Sequence, residues 1–167
     1  HLVVGWTGSH STLKYLQPLV PILQRVENKI NCTFLVIADQ DPQLPLKNYE
    51  FIRWSKESEV EDLNRIDIGL MPLEDDQWSK GKCGFKAIQY GAIGIPALVS
   101  PVGVNAEIVE DGVTGYHCRS DKDWEAAIKQ LLKDDLLRKK LGKAGRERVV
   151  NYYSTTSLRH QFLALFQ

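Results

Sequence analysis

A chain of 167 residues, 43% hydrophobic and 25% charged, has the size and composition of one ordinary globular domain with a substantial core. Its 21 Lys and Arg balance 21 Asp and Glu, so the formal net charge is zero and no nucleic-acid partner is expected, a local basic cluster aside. The longest apolar runs are strand-sized, so neither a membrane span nor a signal peptide is expected.

Short apolar runs alternate along the chain with helix-length amphipathic segments. "LVVGW" (Leu2–Trp6) reads as the first strand. A helix is expected within Ser11–Val26, carried by Leu13, Leu16, Val20 and Leu23, with a kink or restart where Pro18 and Pro21 fall. The second strand is "TFLVIAD" (Thr33–Asp39) and the third "YEFIRW" (Tyr49–Trp54). Ser58 with Glu61 forms a capping-box pattern for a short helix over Ser58–Arg65. "DIGLMPL" (Asp67–Leu73) is the fourth strand, and a helix follows over Gly84–Ile93. "PALVS" (Pro96–Ser100) is the fifth strand, Asn105–Glu110 a short helix and "GYHC" (Gly115–Cys118) a short sixth strand. Helices at Asp121–Leu132, Asp135–Val150 and Thr155–Phe166 complete the chain. In the last, Leu158, Phe162, Leu165 and Phe166 recur at helical spacing, as core or as a bare apolar surface.

Most of the strands are apolar throughout rather than alternating, which is how strands covered on both faces read. The expected fold is therefore α/β: a doubly wound, Rossmann-like, mostly parallel sheet of about six strands with helices on both faces. Ligands of such sheets bind beyond the carboxyl ends of the strands, where the strand order reverses. That directs attention to the loops after the first, third, fourth and fifth strands.

The turn "GWTGSHST" (Gly5–Thr12) offers Gly8 for close approach, and Ser9, His10 and Ser11 for hydroxyl and N–H groups. It also reads as a plain glycine turn with a serine cap, and His10 as a surface histidine. It lacks GxGxxG, which disfavours a nicotinamide dinucleotide. "SKGKCGFKAIQY" (Ser79–Tyr90) is the stronger feature. Gly81 and Gly84 admit a ligand to the main chain, Lys80, Lys82 and Lys86 can neutralise a diphosphate, and a helix start adds aligned N–H donors. The competing reading is a solvated lysine-rich loop. Trp54 at the end of strand three lines a base pocket or packs in the core. Glu107 is the one carboxylate near the expected site on its loop, and Asp75 and Asp76 form either a cation site or an exposed turn.

The string "DIGLMPL…KGKCGFKAIQYGAIGIPALVSPVGVNAEIVEDGVTGY" resembles the carboxyl-terminal, donor-binding domain of group 1, GT-B-type retaining glycosyltransferases. The likeness extends, less specifically, to nearly the whole chain. It implies that Gly8, Ser9, Lys82, Gly84, Phe85 and Lys86 hold the diphosphate of a nucleoside-diphosphate sugar, and that Arg53 and Trp54 meet the base. The family's two glutamates, seven residues apart, align through "GIP" with Gln89 and near Gly81. Gln89 can still bond a ribose hydroxyl through its amide, whereas Gly81 offers only backbone. Of the cations usual near the first helix, Lys14 alone is a candidate.

The resemblance also implies a missing amino-terminal acceptor domain of the same chain, a sugar substrate and no cofactor, and a role in bacterial surface polysaccharide assembly. With no initiator Met before His1, residues 1–167 are expected to be one domain excised from a longer enzyme. Cys32, Cys83 and Cys118 lack CxxC spacing and read as reduced thiols of a cytoplasmic protein, with no metal expected. Peripheral membrane contact is expected only through the parent protein. The alternatives are a nucleotide-sugar epimerase domain and a non-catalytic nucleotide-binding module.

Overall fold

A computed structural model describes residues 1–166 of the chain. The strands are β1 (Val3–Thr7), β2 (Thr33–Ala38), β3 (Tyr49–Arg53), β4 (Ile68–Met71), β5 (Ala97–Val99) and β6 (Gly115–His117). They form one sheet in the order β3-β2-β1-β4-β5-β6, with every pairing parallel. The helices are α1 (Leu13–Leu16), α2 (Val20–Glu27), α3 (Glu59–Leu63), α4 (Gln77–Lys80), α5 (Phe85–Ala92), α6 (Asn105–Ile108), α7 (Asp121–Lys133), α8 (Asp135–Tyr152) and α9 (Thr155–Ala164). This is the Rossmann-like α/β architecture expected from the apolar runs.

All six residues of β2 are buried because its alternating side chains enter two separate cores. Phe34 and Val36 face α2 and α7, among Ile22, Leu23, Val26, Trp124, Ile128 and Leu131. Leu35 and Ile37 face the opposite layer, with Leu63, Ala87, Tyr90 and Ile108. The first helical segment does restart: α1 gives way to a 3-10 turn at Gln17–Leu19 before α2 begins. Pro18 and Pro21 each lie in the first turn of their segment, where a missing N–H breaks no helical bond.

Two local expectations need correction. Ser58 precedes α3 but forms no capping box, because its hydroxyl pairs with Ser55 Oγ at 2.9 Å instead of reaching the helix amides. The lysine loop contains an extra helical turn, α4, whose cap is Asp76 accepting from the Ser79 amide at 2.6 Å. At the carboxyl end, Phe162, Leu165 and Phe166 are exposed, so α9 contributes a bare apolar face rather than core. No helix among the described residues is long and apolar enough to cross a membrane.

α5, which carries the lysine-flanked entrance, is braced by α8 through glycines. A Cβ at Gly142 would lie 2.0 Å from the carbonyl oxygen of Gly94, and one at Gly91 would lie 2.6 Å from Val149 Cγ2. At Gly142 backbone meets backbone, with no side chain to yield. Gly142→Ala should therefore force the elements apart and cost about 1–3 kcal/mol, as overpacking does. Thermal unfolding checks this, at roughly 2–4 °C of Tm per kcal/mol for a chain this size.

Candidate nucleotide-binding cleft

The sheet order reverses between β1 and β4, and a cleft of about 730 Å³ opens above the carboxyl ends of the strands there. The β1–β4 ladder contains only Val4↔Ile68 and Gly5↔Gly69. Beyond it the strands are joined by a side chain. The buried Tyr90 hydroxyl, from α5, donates to Leu70 C=O at 3.0 Å and accepts from the Thr7 N–H at 3.3 Å. Burial of the phenol raises its pKa, so the hydroxyl stays a donor.

One wall is the β1 turn, with Thr7, Gly8, Ser9 and Thr12. Its amides, expected to be available, are engaged: Gly8 donates to Ile37 C=O (3.0 Å), Ser9 to Thr12 Oγ1 (3.1 Å) and His10 to Asp39 Oδ1 (2.6 Å). The His10 ring, at 2.5 Å from Asp39 Oδ2, is the main cause that holds the Asp39 carboxyl below its usual range. His10 is thus a surface histidine that fastens the turn to the end of β2.

The opposite wall is the start of α5 with Gly81, Lys82, Cys83, Gly84, Phe85 and Lys86. Gly84 is the N-cap at φ +67°, and a Cβ there would lie 2.2 Å from Ile108 Cδ1, so the position demands glycine on both counts. Among the described residues the amides of Gly84, Phe85 and Lys86 donate no hydrogen bond. These are the orphan donors of a helix start, aimed with its positive dipole end.

Charge is concentrated at the same place. The Lys86 ammonium lies 5.7 Å from the Trp6 ring centroid, and those of Lys82 and Lys14 lie 4.6 and 4.9 Å from the Tyr15 ring. None of the three forms an ion pair among the described residues. Burial first, and the like charge of Lys82 second, push the Lys86 pKa down. Lys80, by contrast, is outside the cleft and paired with Asp75 at 2.9 Å. With Asp76 capping α4, both carboxylates of the acidic pair are engaged within the loop.

At the β3 end the cleft is lined by Trp54, Glu59 and Gln89. Trp54 is 43% exposed, so it is not a core residue, and its indole donates to Glu59 Oε1 at 3.1 Å. Arg53 is exposed and, like Lys80, outside the lining. Glu107 also lies elsewhere, exposed, with its carbonyl accepting from Arg148. Asp39 and Glu59 were missed. Asp39 could have been found as the acid ending β2, at the carboxyl edge of the sheet.

Residues 14–148 match the family model described as glycosyl transferases group 1. A curated relative, the N-acetyl-alpha-D-glucosaminyl L-malate synthase of Bacillus anthracis, is 21% identical over 165 residues, covering 92% of this chain and 42% of that protein. TarM from S. aureus, solved with fondaparinux, α-GlcNAc-glycerol and UDP, superposes with a TM-score of 0.78 at 20% identity, over 100% of this chain and 36% of its own. Anabaena HepE, solved with UDP and glucose, gives 0.80 at 15% identity over 99% of this chain and 48% of its own. The C-terminal domain of the Francisella tularensis group 1 protein LpcC gives 0.73 at 21% identity, over 92% of this chain and 86% of that one. The chain thus spans less than half of the full-length relatives.

Tyr90→Phe keeps the ring but leaves the Thr7 N–H and Leu70 C=O without their shared partner. A loss of about 1–3 kcal/mol is expected, the cost of unsatisfied buried polar groups, measurable by denaturant unfolding.

Proposed function

We propose that this chain, which belongs to the group 1 glycosyltransferases, is the donor-binding half of a retaining enzyme that moves a sugar from a nucleoside-diphosphate sugar to an acceptor. The observation that carries this is the start of α5. Among the described residues, three unengaged amides at Gly84, Phe85 and Lys86 stand beside Lys82 and Lys86, two cations without ion-pair partners. A diphosphate satisfies both needs at once.

The diphosphate lies at Lys82, Gly84, Phe85 and Lys86, with Gly8 and Ser9 closing the other side. Their amides being engaged, Ser9 contributes its hydroxyl and Gly8 its lack of bulk. The nucleoside runs toward Trp54 and Gln89, Trp54 taking the base. Arg53, at the outer end of β3, reaches the nucleotide only from outside the lining. HepE and TarM, both solved with UDP, make a uridine nucleotide a natural first probe.

Transfer follows from electrostatics. As the sugar's C1–O bond breaks, its electron pair passes to the β-phosphate oxygen. Prearranged N–H dipoles and ammonium groups stabilise that charge more than they stabilise the bound donor. Gly81 supplies no side chain toward the sugar. The remaining groups, and the acceptor site, come from an amino-terminal domain preceding residues 1–167 in the parent enzyme, whose task is polysaccharide assembly at the bacterial surface. The chain alone binds nucleotide and transfers nothing. An epimerase would need free acid–base groups, but Asp39 is tied to His10, and Glu59 to Trp54 and Gln89.

Calorimetric titration of the chain with UDP, GDP and ADP should give saturable heat with one of them; no binding to any, with the fold intact, overturns the reading. Lys86 sets the pH dependence. Its folded pKa is lowered, and a bound diphosphate favours the ammonium. Affinity should therefore fall as pH rises through that lowered pKa, before an ordinary lysine loses its proton. Lys86→Met should weaken binding about tenfold or more at neutral pH and flatten that decline.

A further inference from the structure

Two side chains, Trp54 and Gln89, converge on one carboxylate at the β3 end of the cleft. Glu59, the half-buried first residue of α3, accepts two hydrogen bonds at a single oxygen. Trp54 Nε1 donates to Glu59 Oε1 at 3.1 Å, and Gln89 Nε2 donates to the same atom at 3.1 Å across 30 residues of sequence. The carboxylate can only accept, so it fixes the Gln89 amide with its nitrogen toward Glu59. Two acceptors then remain, Glu59 Oε2 and Gln89 Oε1, and neither receives a hydrogen bond among the described residues. Glu59 forms no ion pair there either.

Adjacent acceptor oxygens on a cleft wall call for adjacent O–H donors. Resting on the nucleotide reading above, with Gln89 at the ribose, we infer that Glu59 supplies the second acceptor for the ribose vicinal diol and determines selection of ribo- over 2′-deoxyribonucleotides. Gln89 by itself offers one neutral acceptor. Glu59 adds the charged one, and a hydrogen bond to a charged acceptor is about twice as strong as a neutral pair. The same carboxylate holds the Trp54 indole, so base and sugar are set in register from one atom.

The test compares binding of UDP, GDP and ADP with that of their 2′-deoxy counterparts, by calorimetry, for the chain and two variants whose folding is checked by circular dichroism. The unmodified chain should prefer the ribonucleotide about tenfold or more. Glu59→Gln should reduce that preference to a few-fold. The exchange Glu59→Gln with Gln89→Glu, which restores a carboxylate–amide pair with the partners swapped, should recover it. A merely structural Glu59 would alter affinity for both sugars alike. Equal binding of the two sugars by the unmodified chain, or a full preference in folded Glu59→Gln, overturns the inference and leaves the nucleotide reading standing. Absence of any diphosphate binding removes both.

Discussion

One phenolic hydroxyl holds the opening on which the cleft depends. The ladder between β1 and β4 ends at Gly5↔Gly69, and beyond it Tyr90 links Thr7 N–H to Leu70 C=O. The ring fits only because residue 69 has no side chain, a Cβ there falling 2.4 Å from Tyr90 Cγ. Two strands are thereby kept in one sheet while their ends separate. The same residue fixes α5 beneath both strands, so the helix start faces the gap between them. Sheet continuity, cleft and helix start share a single hydroxyl in an otherwise apolar layer.

Overall neutrality conceals a local imbalance. Carboxylates elsewhere mostly meet cations or caps: Glu125 is gripped by Arg25 and Lys129, and Asp135 by Arg138 and Lys139. Around Tyr15 and Trp6 the arrangement differs. Lys14, Lys82 and Lys86 lie over aromatic faces, which attract a cation without cancelling its charge. The ammonium groups are positioned yet remain electrostatically available, and Lys86 bears the burden as a depressed pKa.

Strand order aside, most of the fold was legible in the residues, because strands covered on both faces must be apolar throughout and prolines must open helical turns. The glycine entrance to α5 was legible for a similar reason, since its requirements are local. What escaped was decided by topology or by short-range competition. Nothing near Glu59 announces Gln89, 30 residues on, because only the packing of α3 and α5 in one layer brings them together. Ser58 showed a capping pattern, but Ser55 competes for its hydroxyl at 2.9 Å. Lys80 and Lys82 look equivalent in the string, yet the α4 turn sends one to Asp75 and the other into the cleft.

The crossing of α5 and α8 has a mechanical consequence. Side chains between helices act as cushions, changing rotamer to absorb small displacements, and here Gly91, Gly94, Gly142 and Gly145 bring main chain against main chain beside the Val149 side chain. A bearing of main chain is stiff, so the eighteen-residue α8 serves as a strut that holds the start of α5 at a fixed height above the sheet. Rigidity is thus built in behind the cleft, from residues that do not line it.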